Sequence, residues 1–195
     1  MSARSYLSLI VTLCIAVTVS CCTTRPAAAA EEPVRWDGNG HYYEIAYSPE
    51  KLYWYEARDA ATERTFKGVS GHLMTITSPE ENRFLLDNVF PDSVTDDTAA
   101  WLGAWQDPTN QGAGNNWHWV TGEPWEWTNW APDEPWDFLG RNEMYLITWS
   151  DNQWNDGWDI ARTHYYTVEY PVPEPATAAL VLAGVVVLRR RFGRR

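Results

Sequence analysis

Thirteen tryptophans fall between positions 36 and 158, and that crowding constrains the chain more than any other feature. Ring surface on this scale has to be buried, which excludes a disordered acidic segment poor in aromatics. The same region is strongly acidic. The chain of 195 residues carries 26 acidic and 15 basic side chains, yet residues 31–170 hold 25 of the acids and 8 of the bases, a net of −17. A surface that negative repels phosphate backbones and argues against nucleic acid as a partner. Cations are its natural counter-partners.

The two ends read as addresses rather than as fold. Arg4 opens a basic region, Leu7 to Val19 is an apolar run, and Ala28-Ala29-Ala30 offers a small-residue cleavage site before Glu31. That order describes a secretory signal peptide over residues 1–30. The run falls short of the roughly 20 residues a spanning helix needs. Lipidation at Cys21 or Cys22 is the alternative, although Thr18-Val19-Ser20 fits a lipobox poorly. Cys14, Cys21 and Cys22 are the three cysteines of the chain, so a protein starting at Glu31 has no disulfides and holds its fold by packing or by metal.

At the far end, Val172-Pro173-Glu174-Pro175 precedes an apolar stretch, Ala176 to Leu188, and a cluster at Arg189, Arg190, Arg191, Arg194 and Arg195. A basic cluster after an apolar stretch acts as a cytoplasmic stop. The order over residues 172–195 resembles the PEP-CTERM sorting signal of Gram-negative bacteria. That resemblance implies an exosortase as partner, transient residence in the inner membrane, and then the cell surface or extracellular matrix. A plain transmembrane anchor is the alternative.

Residues between the ends alternate short strands with two helix signals. His41 to Tyr47 is strand-like. Ser48-Pro49-Glu50 offers an N-cap, a first-turn proline and a first-turn acid for a helix from Lys51 to about Glu63, with Tyr53, Ala57, Ala60 and Ala61 recurring near helical spacing. His72 to Thr77 alternates as a strand. Ser78-Pro79-Glu80-Glu81 forms a capping box for a second helix that turns Phe84, Leu85 and Val89 inward and ends before Pro91. Ala99 to Ala104 reads as a buried strand, and Met144 to Trp149 and His164 to Tyr170 as closing strands. Residues 105–143 are punctuated by glycine and proline, so long functional loops are expected there. Two helices before a loop-rich β half predict an α+β fold.

Four groups of residues then stand in one order: Gly71-His72-Leu73 with Ser78-Pro79-Glu80-Glu81-Asn82, then Trp101-Leu102-Gly103, then Glu134-Pro135 followed by Glu143, then Trp154-Asn155-Asp156. Across residues 36–170 this series resembles the C-type lectin-like domain. The resemblance implies a domain over residues 31–171 with two helices, two small antiparallel sheets and a long loop region. It also implies a calcium and carbohydrate site at Glu134, Glu143, Asn155 and Asp156, with Pro135 in the cis form. Read from the residues alone, three carboxylates and an amide in loop and turn segments suit calcium, a hard cation that takes 6–8 oxygen ligands. Asp151, Asn152 and Asp159 lie close by as alternatives.

Where the family has Glu-Pro-Asn, this chain has Glu134-Pro135-Trp136. Asp137 is the candidate replacement ligand, and Trp136 is a candidate to stack on a sugar face or to fill core. Trp125, Trp127 and Trp136 are expected to be exposed, and Trp101, Trp130, Trp149 and Trp154 to be core. The four histidines read as structural. Paired carboxylates among tryptophans also describe glycosidase clefts, but no nucleophile elbow, zinc spacing, P-loop or dinucleotide fingerprint is present. The expectation is therefore a carbohydrate-binding protein that is not an enzyme. Its partners are a carbohydrate or extracellular polysaccharide, and the alternative is a calcium-independent module that binds protein or matrix polymer with the same loops.

Overall fold

The computed structural model describes residues 32–91, 98–107, 112–136 and 143–173. The expected signal peptide, the sorting tail from Glu174 onward and Asp137 lie outside these residues. Among the described residues no helix is long and apolar enough to cross a membrane.

Among the described residues the α-helices and strands follow in order: β1 (Val34–Arg35), β2 (Tyr42–Leu52), α1 (Trp54–Glu63), β3 (Thr65–Phe66), β4 (Val69–Ser70), α2 (Pro79–Asn88), β5 (Ala100–Gln106), β6 (Trp117–Trp119), β7 (Glu143–Thr148), β8 (Trp154–Trp158) and β9 (Thr163–Tyr170). The main sheet has seven strands in the order β1-β2-β9-β5-β7-β8, with β6 paired to β5, and β3-β4 is a separate hairpin. All neighbours are antiparallel except β5 and β9, so the main sheet is mixed. The α+β fold with two helices is what the residue patterns predict.

Each face of the sheet carries its own core. On one face Leu85 of α2 packs with Tyr43, Met74, Ile76, Leu102, Leu146 and Trp154. On the other, Trp54, Ala57 and Ala61 of α1 pack with Leu73, Trp101, Tyr166 and Val168. Strand alternation divides them, since Trp101 and Leu102 are consecutive on β5 and serve opposite cores.

Helix α2 starts as its cap predicts. The Glu81 N–H donates to Ser78 Oγ at 3.2 Å. Helix α1 starts later than expected, because Ser48 to Leu52 stays in β2, where the Ser48 carbonyl faces His164 Nδ1 at 2.9 Å. Tyr53 is the cap instead, its N–H donating to Glu56 Oε2 at 2.9 Å. Trp54, rather than Tyr53, then becomes the buried anchor.

Two further expectations are corrected. Residues 73–77 form no strand: His72 makes one bridge to Glu169, and the next N–H groups donate to side chains, Met74 to Thr167 Oγ1 and Thr75 to Glu169 Oε2. Side-chain acceptors here take the place of a ladder. Conversely, Asn155 and Asp156 lie on strand β8 rather than in a turn, paired with Ile147 and Leu146.

Candidate functional site

The site is built where the segment 129–136 runs alongside the start of β8. Trp154 N–H donates to the Asn129 carbonyl and Ala131 N–H to the Trp154 carbonyl, both at 2.8 Å. The chain then turns, with Asp133 at φ 68° and the Glu134 N–H returned to the Ala131 carbonyl at 3.0 Å. The Glu134–Pro135 bond is cis, in agreement with the expectation for Pro135. Immediately after it, Trp136 N–H donates to Asp156 Oδ1 at 3.1 Å. Loop and strand are thereby joined through the aspartate.

Asp156 is buried, and Glu134 is half-buried beside it. Burial first, and then the charge and contact of Glu134, push the Asp156 carboxyl up to about 7. Two ionised carboxylates hold no donor between them, so such a pair needs a shared proton or a cation. The remaining oxygens show the same want: Glu134 Oε2, Asn155 Oδ1 and Asp156 Oδ2 are all buried with no hydrogen-bond partner. Buried polar atoms are ordinarily partnered, and the oxygens of Glu134 and Asp156 are the two that the loop and β8 bring side by side. Carboxylate oxygen is the donor that a hard cation such as calcium takes.

The structure does not gather every predicted residue equally. Asn155 and Asp156 are consecutive on β8, so alternation directs them to opposite faces. Glu143 opens β7, buried and paired with Trp158, two residues along β8 from Asp156. Among the described residues no three His, Cys, Asp or Glu side chains converge to hold a metal. Glu134 and Asp156 form the acidic pair that is brought together. Of the nearby alternatives, Asn152 donates through Nδ2 to the Pro91 carbonyl at 2.8 Å and leaves Oδ1 buried and unpartnered.

The tryptophans are sorted differently from expectation. Trp136 is 59% exposed and stands at the mouth of the site. Trp125 and Trp127 are instead packed against the core with Trp130, and each contacts the Trp154 ring, at centroid distances of 5.8 and 5.3 Å. Trp149, expected in the core, is 37% exposed. Trp125-Glu126-Trp127 is an irregular segment whose two rings pack on Trp154 of β8.

Comparison with known proteins agrees with this architecture. The Lectin C-type domain family model matches residues 50–165. Halomucin of Haloquadratum walsbyi is 30% identical over 138 residues, covering 58% of this chain and 1% of that protein. Asialoglycoprotein receptor 1 of Rattus norvegicus is 28% identical over 142 residues, covering 68% of this chain and 42% of the receptor. The chain thus spans less than half the length of either relative. Among solved structures, the carbohydrate-recognition domain of cow CD23, determined in the presence of a GlcNAc2Man3 oligosaccharide, superposes with a TM-score of 0.54 at 22% identity, over 69% of this chain and 90% of that one.

Proposed function

This chain belongs to the C-type lectin domain family, and from that premise we propose that it is an exported carbohydrate-binding protein whose loop site takes calcium. Glu134 and Asp156 are the principal ligands, with Glu143 and Asp137 proposed to complete the shell, while Asn155 is directed to the opposite face of β8. Bound calcium would supply charge that neutralises the carboxylate pair and would offer open coordination positions to adjacent sugar hydroxyls. The protein's own part is to fix the pair: the cis Glu134–Pro135 turn and the Trp136 N–H hold Asp156 in place before any ligand arrives. Trp136, exposed beside it, provides a ring face for the sugar. The observation that carries the reading is the pair of buried, unpartnered carboxylate oxygens on Glu134 and Asp156.

The family is one of binding domains, and the reading is of a binder and not an enzyme. Export by the residue 1–30 leader, and sorting by an exosortase through residues 172–195, belong to the same proposal and rest on the sequence of those two ends. The test is a thermal melt in EDTA followed by calcium titration. A cation bound only by the folded state raises the melting temperature with concentration, and glycan binding should fall with EDTA and with Asp156→Asn. An unchanged melt across millimolar calcium would defeat the calcium reading. It would leave the calcium-independent module, which the exposed Trp136 in place of an amide ligand favours.

A further inference from the structure

Away from the loop site, a cleft of about 410 Å³ opens on the α1 face of the sheet, lined by Trp54, Arg58, Trp105, Val120 and Tyr145. Its volume lies within the range of small-molecule sites, and its lining has their pattern of aromatic walls with few polar groups. Strand alternation separates it from the loop site. Tyr145 packs on the α1-side core, whereas the next residue of β7, Leu146, packs on the α2-side core and faces Asp156 across the β7–β8 pair. Directly opposed residues of an antiparallel pair share a face. The cleft and Asp156 therefore lie on opposite faces of the sheet.

We propose that this cleft is a second, calcium-independent subsite for a short neutral oligosaccharide. The proposal goes beyond the loop site and does not depend on it. Trp54 and Tyr145 stack with centroids 4.7 Å apart at 14°, so the inner wall is rigid before a ligand arrives. Trp105 stands opposite Tyr145 in the β5–β7 register and is braced by the His118 ring at 5.1 Å. Trp54 is buried beneath the Arg58 guanidinium, 5.8 Å from its ring centroid, so Trp105 is the ring left to meet the C–H face of a pyranose, whose hydroxyls then lie at the rim beside Arg58.

Arg58 also indicates the ligand's charge. Its Nε and Nη2 both donate to Asp59 Oδ1, at 2.9 and 2.7 Å, which occupies two of the five guanidinium donors. The cation is already matched by a neighbouring acid, and the domain's excess of acid repels a polyanion. Hydroxyls, which both donate and accept, suit an Arg–Asp pair at the rim. No carboxylate lines the cleft, so no metal is called for.

Saturation-transfer NMR and calorimetry on the full chain in EDTA test this, with di- and trisaccharides of β-linked glucose, mannose and galactose as probes and a galacturonate trisaccharide as the anionic control. At least one neutral oligomer should bind. Trp105→Ala and the cleft-filling Val120→Trp should abolish that binding, Arg58→Gln should weaken it about tenfold through the lost charged donor, and Glu134→Gln should leave it unchanged. If Trp105→Ala fails to fold, Val120→Trp and Arg58→Gln carry the same test. Absence of neutral-oligomer binding in EDTA, binding that survives both Val120→Trp and Arg58→Gln, or tighter binding of the galacturonate would each overturn the proposal. Binding that needs calcium and disappears in Glu134→Gln belongs to the loop site and would overturn it too.

Discussion

Tyr43 stands between two buried carboxylates. Its hydroxyl donates to Glu81 Oε1 at 2.6 Å, lies 3.4 Å from Glu169 Oε1, and accepts from Asn39 Nδ2 at 2.7 Å. The outer oxygens of both acids are taken by threonines: Thr77 N–H and hydroxyl serve Glu81 Oε2, and Thr75 N–H and hydroxyl serve Glu169 Oε2. Burial, then the two carboxylates, hold the Tyr43 phenol far above its ordinary range, so it remains a donor at any working pH. Tyr43→Phe keeps the ring and leaves Glu81 Oε1 buried without that donor. The expected cost is about 1–3 kcal/mol, read from urea unfolding. At this scale the sequence was only partly legible. Glu81 was readable as a helix-cap acid, but Tyr43 is 38 residues away and the contact follows from packing α2 on the sheet.

Helix α2 offers the plainest test at the scale of elements. Ser78→Ala removes the acceptor of the Glu81 N–H and should cost about 1 kcal/mol in chemical unfolding. Strand β5 offers another. A Cβ on Gly103 would lie 2.5 Å from the Leu73 carbonyl oxygen and 2.7 Å from that of Met74, both backbone atoms unable to turn aside. Gly103→Ala should therefore destabilise by about 1–3 kcal/mol in the same assay, the usual cost of overpacking. Both helices were legible because caps and apolar spacing are local. The start of α1 was misplaced because Ser48-Pro49-Glu50 carries a cap pattern, while pairing with β9 on either side, at Tyr47 and Leu52, keeps that irregular stretch in β2. Strand β8 was missed for a related reason: Asn155, Asp156 and Gly157 are poor strand formers, and the partner β7 imposes the conformation. The meeting of Glu134 with Asp156 was legible only by resemblance, since the hydrogen bonds that bring segment 129–136 onto β8 are made by backbone.

For the molecule as a whole, the buried acids set the response to pH. His41 Nδ1 lies 2.6 Å from Glu169 Oε1, and that hydrogen bond raises its pKa from 6.5 against the opposing effect of burial, with Glu81 and Glu123 adding smaller pulls in the same direction. Burial raises the Glu81 carboxyl from 4.5 despite its donors. In both cases the folded state holds its proton more tightly than the unfolded chain. Stability is then lost as pH rises, from 4.5 upward for Glu81 and from 6.5 upward for His41, through each folded pKa. Urea midpoints should accordingly fall between about pH 5 and about pH 8, and His41→Gln should flatten the upper part of that decline. At this scale the tryptophans form a cluster, with Trp117, Trp119, Trp125, Trp127 and Trp130 in the core that holds Trp154 or packed against it.

Val34 of β1 pairs with Tyr43, and Tyr42 pairs with Tyr170, so the polypeptide enters and leaves the fold on neighbouring strands. Strand β8, which bears Asp156, lies at the opposite end of the sheet order. Such a unit hangs from a longer chain like a pendant on a single hook. It can be threaded into a host polypeptide without prising the host's own ends apart, and wherever it is hung the β8 edge stands at the far end of the strand order from the point of attachment.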